Sequence, residues 1–199
     1  MSPSTISDHA RFDRAIAAID AVNGEDPTRV VVRGVERPKE VAHAELMTEW
    51  IGRLRPDAGE ELLLAARAHH IRRWTSPRSS FPAGRAGYLR WRTGLQRMHA
   101  DEVGRIMTAE GYDDATVARV QDIVRKRNLA GDADVQALED ALCLVFVETQ
   151  FHDLVARLEP ETMVDVVRKT LEKMSDQAKA LVTGMELDEG DRHLLERAL

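Results

Sequence analysis

An all-α fold, a single compact helical domain of about seven helices, is what the sequence predicts. Three observations carry that prediction. Apolar residues recur at helical spacing in segment after segment, as in Phe12, Ile16 and Ile19, or Val41, Leu46, Met47, Trp50 and Leu54. Ala, Leu, Val and Arg dominate while aromatics make up only 5%, a balance that favours helices over a β-sandwich. Gly, Pro and Asn/Asp clusters break the chain at intervals that leave short connections and little strand. With 199 residues, 43% of them hydrophobic, the chain suits one core. The expected organisation is a flexible start over residues 1–8, a helical domain over 9–175 and a helical extension over 176–199 packed on the same domain.

The first helix is expected from His9 to Val22, stopped by Asn23-Gly24 and Asp26-Pro27. Arg29 to Val35 is β-branched and reads as a short strand or an extended loop. Pro38 suits the first turn of a helix reaching Leu54, with His43 on or beside its apolar stripe. The next helix, about Glu60 to Trp74, begins with acids and ends with Arg72 and Arg73, in accord with the helix dipole. A loop over Thr75 to Gly87 precedes a helix from Tyr88 to Glu110. Further helices follow Asp113-Asp114 and then run from Val135 to Leu158, the most apolar segment, and from Glu161 to Met174. One or two short polar helices complete the chain.

Composition excludes several classes of protein. A single cysteine, Cys143, rules out a disulfide framework and a cysteine-rich zinc site. No apolar run is long enough to span a bilayer, and the N-terminal residues lack a signal-peptide pattern, so no membrane partner and a cytoplasmic location are expected. The net charge of −6 argues weakly against non-specific DNA binding, although a local basic patch can override the total.

Such a patch exists. Ala65 to Ala100 holds eight arginines, three of the seven histidines and two of the three tryptophans, but no Asp or Glu. Arginine suits phosphate because its planar fork donates two parallel hydrogen bonds. Arg72, Arg73, Arg78 and Arg85, with Tyr88 as a stacking surface, are the candidate anion and substrate ligands. Their pairing with the chain's many acids is the structural alternative. The histidines supply a possible metal site beside them. His43 lies on one helix, His69-His70 near the end of the next, and His99 on a third, with Glu102 three residues on and therefore on the same face. Asp140 sits within the most apolar helix, where an unpaired carboxylate is costly. Imidazole with carboxylate suits a divalent transition metal, Mn, Fe, Co, Ni or Zn, better than Ca.

In their order along the chain, His43 in VAHAELM, His69-His70 in AARAHHIRRW and Asp140 in LEDAL resemble the HD-domain superfamily of metal-dependent phosphohydrolases. The resemblance implies an HD-like helical fold. It also implies that His43, His69, His70 and Asp140 hold the metal, with His99 and Glu102 as possible additional ligands, and that a metal-activated water attacks a phosphate ester. The departure is His70, which stands where the superfamily has aspartate and puts a dinuclear centre in doubt. The stretch HIRRWTSPRSSFPAGRAGYLRWR is also similar to that of an uncharacterised conserved family of single-domain proteins. The function expected is hydrolysis of a small phosphorylated or nucleotide-like substrate. The alternative is a non-catalytic RNA- or protein-binding module on a degenerate HD-like scaffold.

Overall fold

Asp8 opens the first helix by accepting the Arg11 amide on its side chain, which satisfies one of the free N–H groups of the first turn. Helix α1 then runs His9–Asn23. In the computed structural model, residues 6–185 and 187–198 are described. They form ten α-helices, two 3-10 turns and one two-stranded hairpin. Of the flexible start expected over residues 1–8, residues 1–5 lie outside the described residues. Ser7 donates from its amide and its hydroxyl to Glu60 Oε2, and so is tied to the body of the chain.

The stretch Arg29 to Val35, expected as a short strand or an extended loop, belongs to a chain segment folded back on itself as a hairpin. Strands β1 (Arg29–Val32) and β2 (Val35–Pro38) pair antiparallel, with Val32 opposite Val35. Arg33 and Gly34 between them both take positive φ, 51° and 78°, as a two-residue hairpin loop requires. Helix α2 (Lys39–Leu54) follows at once, its Glu40 amide donating to the buried Asp26 side chain. Helix α3 (Glu60–Ala68) ends six residues before the expected Trp74. There His69 Nδ1 turns back onto the Ala66 carbonyl, Arg72 takes a left-handed conformation (φ 56°), and a 3-10 turn covers Arg73–Thr75. A second 3-10 turn spans Arg78–Ser80.

Helix α4 (Gly84–Ala109) starts four residues before the expected Tyr88, at Gly84 with φ +80°. Helices α5 (Asp114–Val124), α6 (Ala133–Thr149), α7 (Phe151–Val155), α8 (Pro160–Leu171), α9 (Asp176–Thr183) and α10 (Glu189–Ala198) complete the chain. The helix expected over Val135 to Leu158 is two helices. Thr149 Oγ1 bonds back to the Val145 carbonyl at 2.7 Å, a contact that bends helices, and Gln150 leaves helical geometry. This break, with the separation of α9 from α10, raises the count from about seven to ten.

The chain divides into two compact units, residues 1–138 and 139–199, with the boundary inside α6. In the first, α5 packs on α3 and α4, α1 packs on α2, α3 and α4, and α2 packs on α3 and on the hairpin. Ile19, Met47, Ile51, Leu62, Leu64 and Ile123 are its fully buried large side chains. In the second, α7, α8 and α10 pack together around Phe151, Met163, Val167 and Leu195. Helix α6 buries residues on nearly every face, from Val135 to Val147. Among the described residues, no helix is long and apolar enough to cross a membrane.

Two glycines of α4 make the local packing testable. A Cβ on Gly87 would lie 1.9 Å from the Pro82 carbonyl oxygen, so only glycine lets the preceding loop close onto the helix. Gly94 has open space around it. Gly87→Ala is therefore expected to destabilise by about 1–3 kcal/mol. Gly94→Ala should stabilise by up to about 1 kcal/mol through helix propensity. Urea titration of both variants checks the pair.

Candidate metal centre

Three elements of the first unit bring polar side chains into one buried cluster. Helix α2 contributes Glu40 and His43, which stand three residues apart and share a face. The turn after α3 contributes His69 and His70. Helix α4 contributes His99. Ligand atoms of Glu40, His43 and His70 all lie within 4.8 Å of one another. The His70 ring centroid is 4.1 Å from that of His69 and 5.7 Å from that of His99. Glu40, His43, His69 and His99 are buried, whereas His70 keeps 22% of its side chain exposed. The cluster therefore opens to solvent at His70.

The hydrogen bonds fix the tautomers. His69 Nδ1 lies 3.0 Å from the Ala66 carbonyl oxygen and His99 Nδ1 lies 2.6 Å from that of Ile71. A carbonyl only accepts, so each Nδ1 carries the proton and each Nε2 is a bare lone pair. Both Nε2 atoms are buried without a hydrogen-bond partner, as is Glu40 Oε2, which stands 3.8 Å from His70 Nδ1. An unmet buried acceptor costs about 1–3 kcal/mol. Nδ1–H on a carbonyl with Nε2 free is the arrangement that metal-binding imidazoles adopt.

Burial sets the protonation states. It pushes His43 down to about 4, with the cations Lys39 and Arg73 adding to the effect and Asp26 opposing it. It pushes His99 to about 4 as well. His69 and His70 are driven well below the usual imidazole range by burial and then by the neighbouring imidazoles. The Glu40 carboxyl moves the other way, up to about 7, because burial outweighs the pull of Arg73 and Lys39. Four neutral imidazoles with one carboxyl form a nitrogen-rich donor set, which fits a divalent transition metal better than Mg or Ca.

The other sequence candidates are placed as follows. Glu102, one turn beyond His99, faces arginines: Arg72 Nε donates to Glu102 Oε1 at 2.8 Å, and Arg105 pairs with Oε2. Asp140 lies in the second unit, where it accepts the Ser175 amide at 2.8 Å and the Ser175 hydroxyl at 2.6 Å, at the cap of α9. Arg72 also pairs with Glu25, and Arg78 donates to the Phe81 and Gly84 carbonyls, so both hold the loop together. Arg73 is the arginine beside the cluster. Its charge acts on Glu40, His43, His70 and His99, and its guanidinium lies 4.9 Å from the Trp91 ring centroid. Arg85 and Tyr88 are exposed on the first turns of α4.

Glu40 was absent from the sequence candidates. Its signal is the run Glu40-Val-Ala-His43, where a carboxylate and an imidazole fall one helical turn apart. A second group also escaped them. His152 pairs with Asp188 at 2.9 Å and with Asp191 at 3.2 Å. That group is largely exposed, and its mutual ion pairs account for it.

The buried cluster predicts an acid-labile protein when no metal is bound. Between about pH 6.5 and pH 4, unfolded histidines bind protons that the native ones do not, so stability falls as pH falls. Glu40 opposes this, because the native carboxyl keeps its proton up to about pH 7 whereas the unfolded one loses it near 4.5. Four imidazoles outweigh one carboxyl. The urea midpoint of chelator-treated protein should drop on acidification below pH 6.5. Glu40→Gln should steepen the drop between pH 7 and pH 4.5, because it removes the contribution that opposes the imidazoles. A midpoint unchanged down to pH 4.5 contradicts the buried neutral imidazoles.

Comparison with known proteins adds a family but no activity. No curated protein and no solved structure matches the chain. A family profile does match residues 13–195, nearly its whole length, and on that match the chain belongs to DUF4202, a domain of unknown function.

Proposed function

We propose that the chain is a metal-dependent phosphohydrolase of the HD type acting on a small phosphorylated or nucleotide-like substrate. The observation that carries the proposal is the convergence of Glu40, His43 and His70, whose ligand atoms lie within 4.8 Å of one another, with Glu40 Oε2 buried and without a hydrogen-bond partner. Glu40, His43 and His70 would hold a divalent ion, with His69 and His99 completing the nitrogen-rich wall. Such an ion supplies Lewis acidity at a phosphoryl oxygen and lowers the pKa of water.

The chain's own residues do the rest. The carbonyls of Ala66 and Ile71 hold two rings in one orientation by accepting from Nδ1. Glu40, His43, His69 and His99 are buried, and His70 is the part-exposed member of the cluster. Arg73, braced against Trp91, presents a guanidinium to a phosphate at that opening. In the partly desolvated site its charge counts for more than it would in water. The carboxylate of this donor set comes from Glu40 on α2, so His70 in the doublet does not leave the set without an anion.

Elemental analysis of protein purified without a metal-affinity tag tests the proposal. About one equivalent of Mn, Fe, Co, Ni or Zn is expected. Glu40→Ala and His70→Ala should each lower metal content. Arg73→Ala should retain the metal while kcat/KM toward p-nitrophenyl phosphate or nucleoside monophosphates falls about a hundredfold. The proposal fails if no divalent ion is found and if adding these ions changes neither thermal stability nor phosphoesterase activity.

A further inference from the structure

Most arginines of the first unit have a carboxylate partner: Arg14 pairs with Glu110, Arg67 with Asp20, Arg125 with Asp101, and Arg119 with both Asp132 and Asp134. The first four turns of α4 are different. Among the described residues, Arg85, Arg90, Arg92 and Arg97 make no ion pair, and Arg85, Arg90 and Arg97 are exposed. The sequence explains most of this: no acid stands three or four residues from Arg85, Arg90 or Arg92, and Asp101, four residues beyond Arg97, pairs with Arg125 instead. In a chain of net charge −6, four uncompensated arginines on one helix make a localised positive face.

That face also carries apolar and aromatic surface. Tyr88 is 42% exposed and Leu89 is 51% exposed. Arg92 lies over the Tyr88 ring, and the Tyr88 ring stands 5.9 Å from that of Trp91. A groove lined by Leu89, Arg90, Thr93, Gly94 and Arg97 runs along the helix, with Gly94 leaving its floor open. A second groove shares Thr93 and Arg97 and continues past Asp101 to Arg125 and Arg127, which pair with Asp101 and Asp122.

We infer that the exposed face of α4, from Arg85 to Arg97, docks single-stranded RNA, with the phosphates on the arginines and a base on Tyr88. The chemistry selects this occupant over an acidic protein. Guanidinium forks match phosphate oxygens, and an exposed tyrosine ring beside them offers a stacking surface that an acidic peptide does not need. It also selects a single strand, because paired bases have no free π-face. Arg85 to Arg97 spans about 18 Å of helix at about 1.5 Å per residue, enough for about three phosphates of an extended strand. The inference does not rest on the hydrolase proposal, since it concerns binding alone and involves none of the cluster residues.

Fluorescence anisotropy with a labelled, mixed-sequence RNA of about twelve nucleotides tests it on the full chain as purified. Binding is expected at low salt, with a log–log salt slope of about −2, the value for about three phosphates of a single strand. Arg85→Ala, Arg90→Ala and Arg97→Ala together should flatten the slope and abolish binding. Tyr88→Ala should weaken binding about tenfold. Removing Arg14, Arg33 and Arg168 instead should change affinity no more than about twofold, since those arginines already pair with acids. All but Arg33, which lies in the hairpin loop, are surface changes within helices to a good helix former, and circular dichroism checks that each variant is folded. The inference is overturned by any of four results: absence of binding at low salt, unaltered binding by the triple α4 variant, displacement of the RNA by a nucleoside monophosphate at equal phosphate concentration, or heparin binding equal to RNA binding with no effect of Tyr88→Ala. The last two would assign the face to a free nucleotide or to a non-nucleic polyanion.

Discussion

Four imidazoles and a carboxyl share one interior site with fewer hydrogen bonds than they have polar atoms, and much of the local chain geometry follows from accommodating them. Helix α3 stops at Ala68, because His69 must turn its Nδ1 onto the Ala66 carbonyl. The Ile71 carbonyl then faces His99, and Arg72 adopts a left-handed conformation that a non-glycine residue takes only at a cost. The Arg72 side chain offsets that cost by joining Glu25, just after α1, to Glu102 on α4. The loop after the histidines is thus fixed from several directions: Trp91 Nε1 holds the Ser76 carbonyl, and Arg78 holds those of Phe81 and Gly84.

The arginine-rich stretch therefore does three separate jobs. Arg72 and Arg78 are internal fasteners, with partners supplied by Glu25, Glu102 and loop carbonyls. Arg73 borders the cluster and feels Glu40 on one side and the like charge of Arg92 on the other. Arg85, Arg90 and Arg97 reach only solvent.

The helical class and the punctuation of most elements were legible because they depend on local periodicity, whereas His43, His69, His70 and His99 stand on three different elements and were grouped only by their order along the chain. What was not legible depended on contacts made across the fold. The hairpin needs Arg33 and Gly34 to take positive φ together, and a β-branched run does not announce where it turns. The early end of α3 is set by the reach of His69 to a carbonyl, although the dipole pattern of acids first and arginines last favoured a longer helix. Glu40 was hidden for another reason. It reads as an ordinary acid in the first turn of a helix, and only the packing of α2 against α3 makes it a buried partner of His70. Asp140 shows the converse. An acid inside an apolar helix does call for partners, and in the second unit the N-cap serine of α9 supplies two hydrogen bonds to it.

In the proposed centre, a histidine at position 70, where the HD superfamily that the sequence resembles has aspartate, would alter the charge more than the capacity for ligands. With all four imidazoles neutral, Glu40 brings the only negative charge among the five donors, against the two positive charges of a divalent ion. The ion would also reverse the effect of burial on Glu40, since a cation at bonding distance favours the carboxylate over the acid. A filled centre of the proposed kind would keep a positive charge, and Arg73 beside it would add another, in surroundings where charge is poorly screened. An additional carboxylate in the doublet would cancel that excess. With His70 the proposed centre would take its charge balance from an anion in solution, and a phosphate group would meet that requirement with a geometry that suits an arginine.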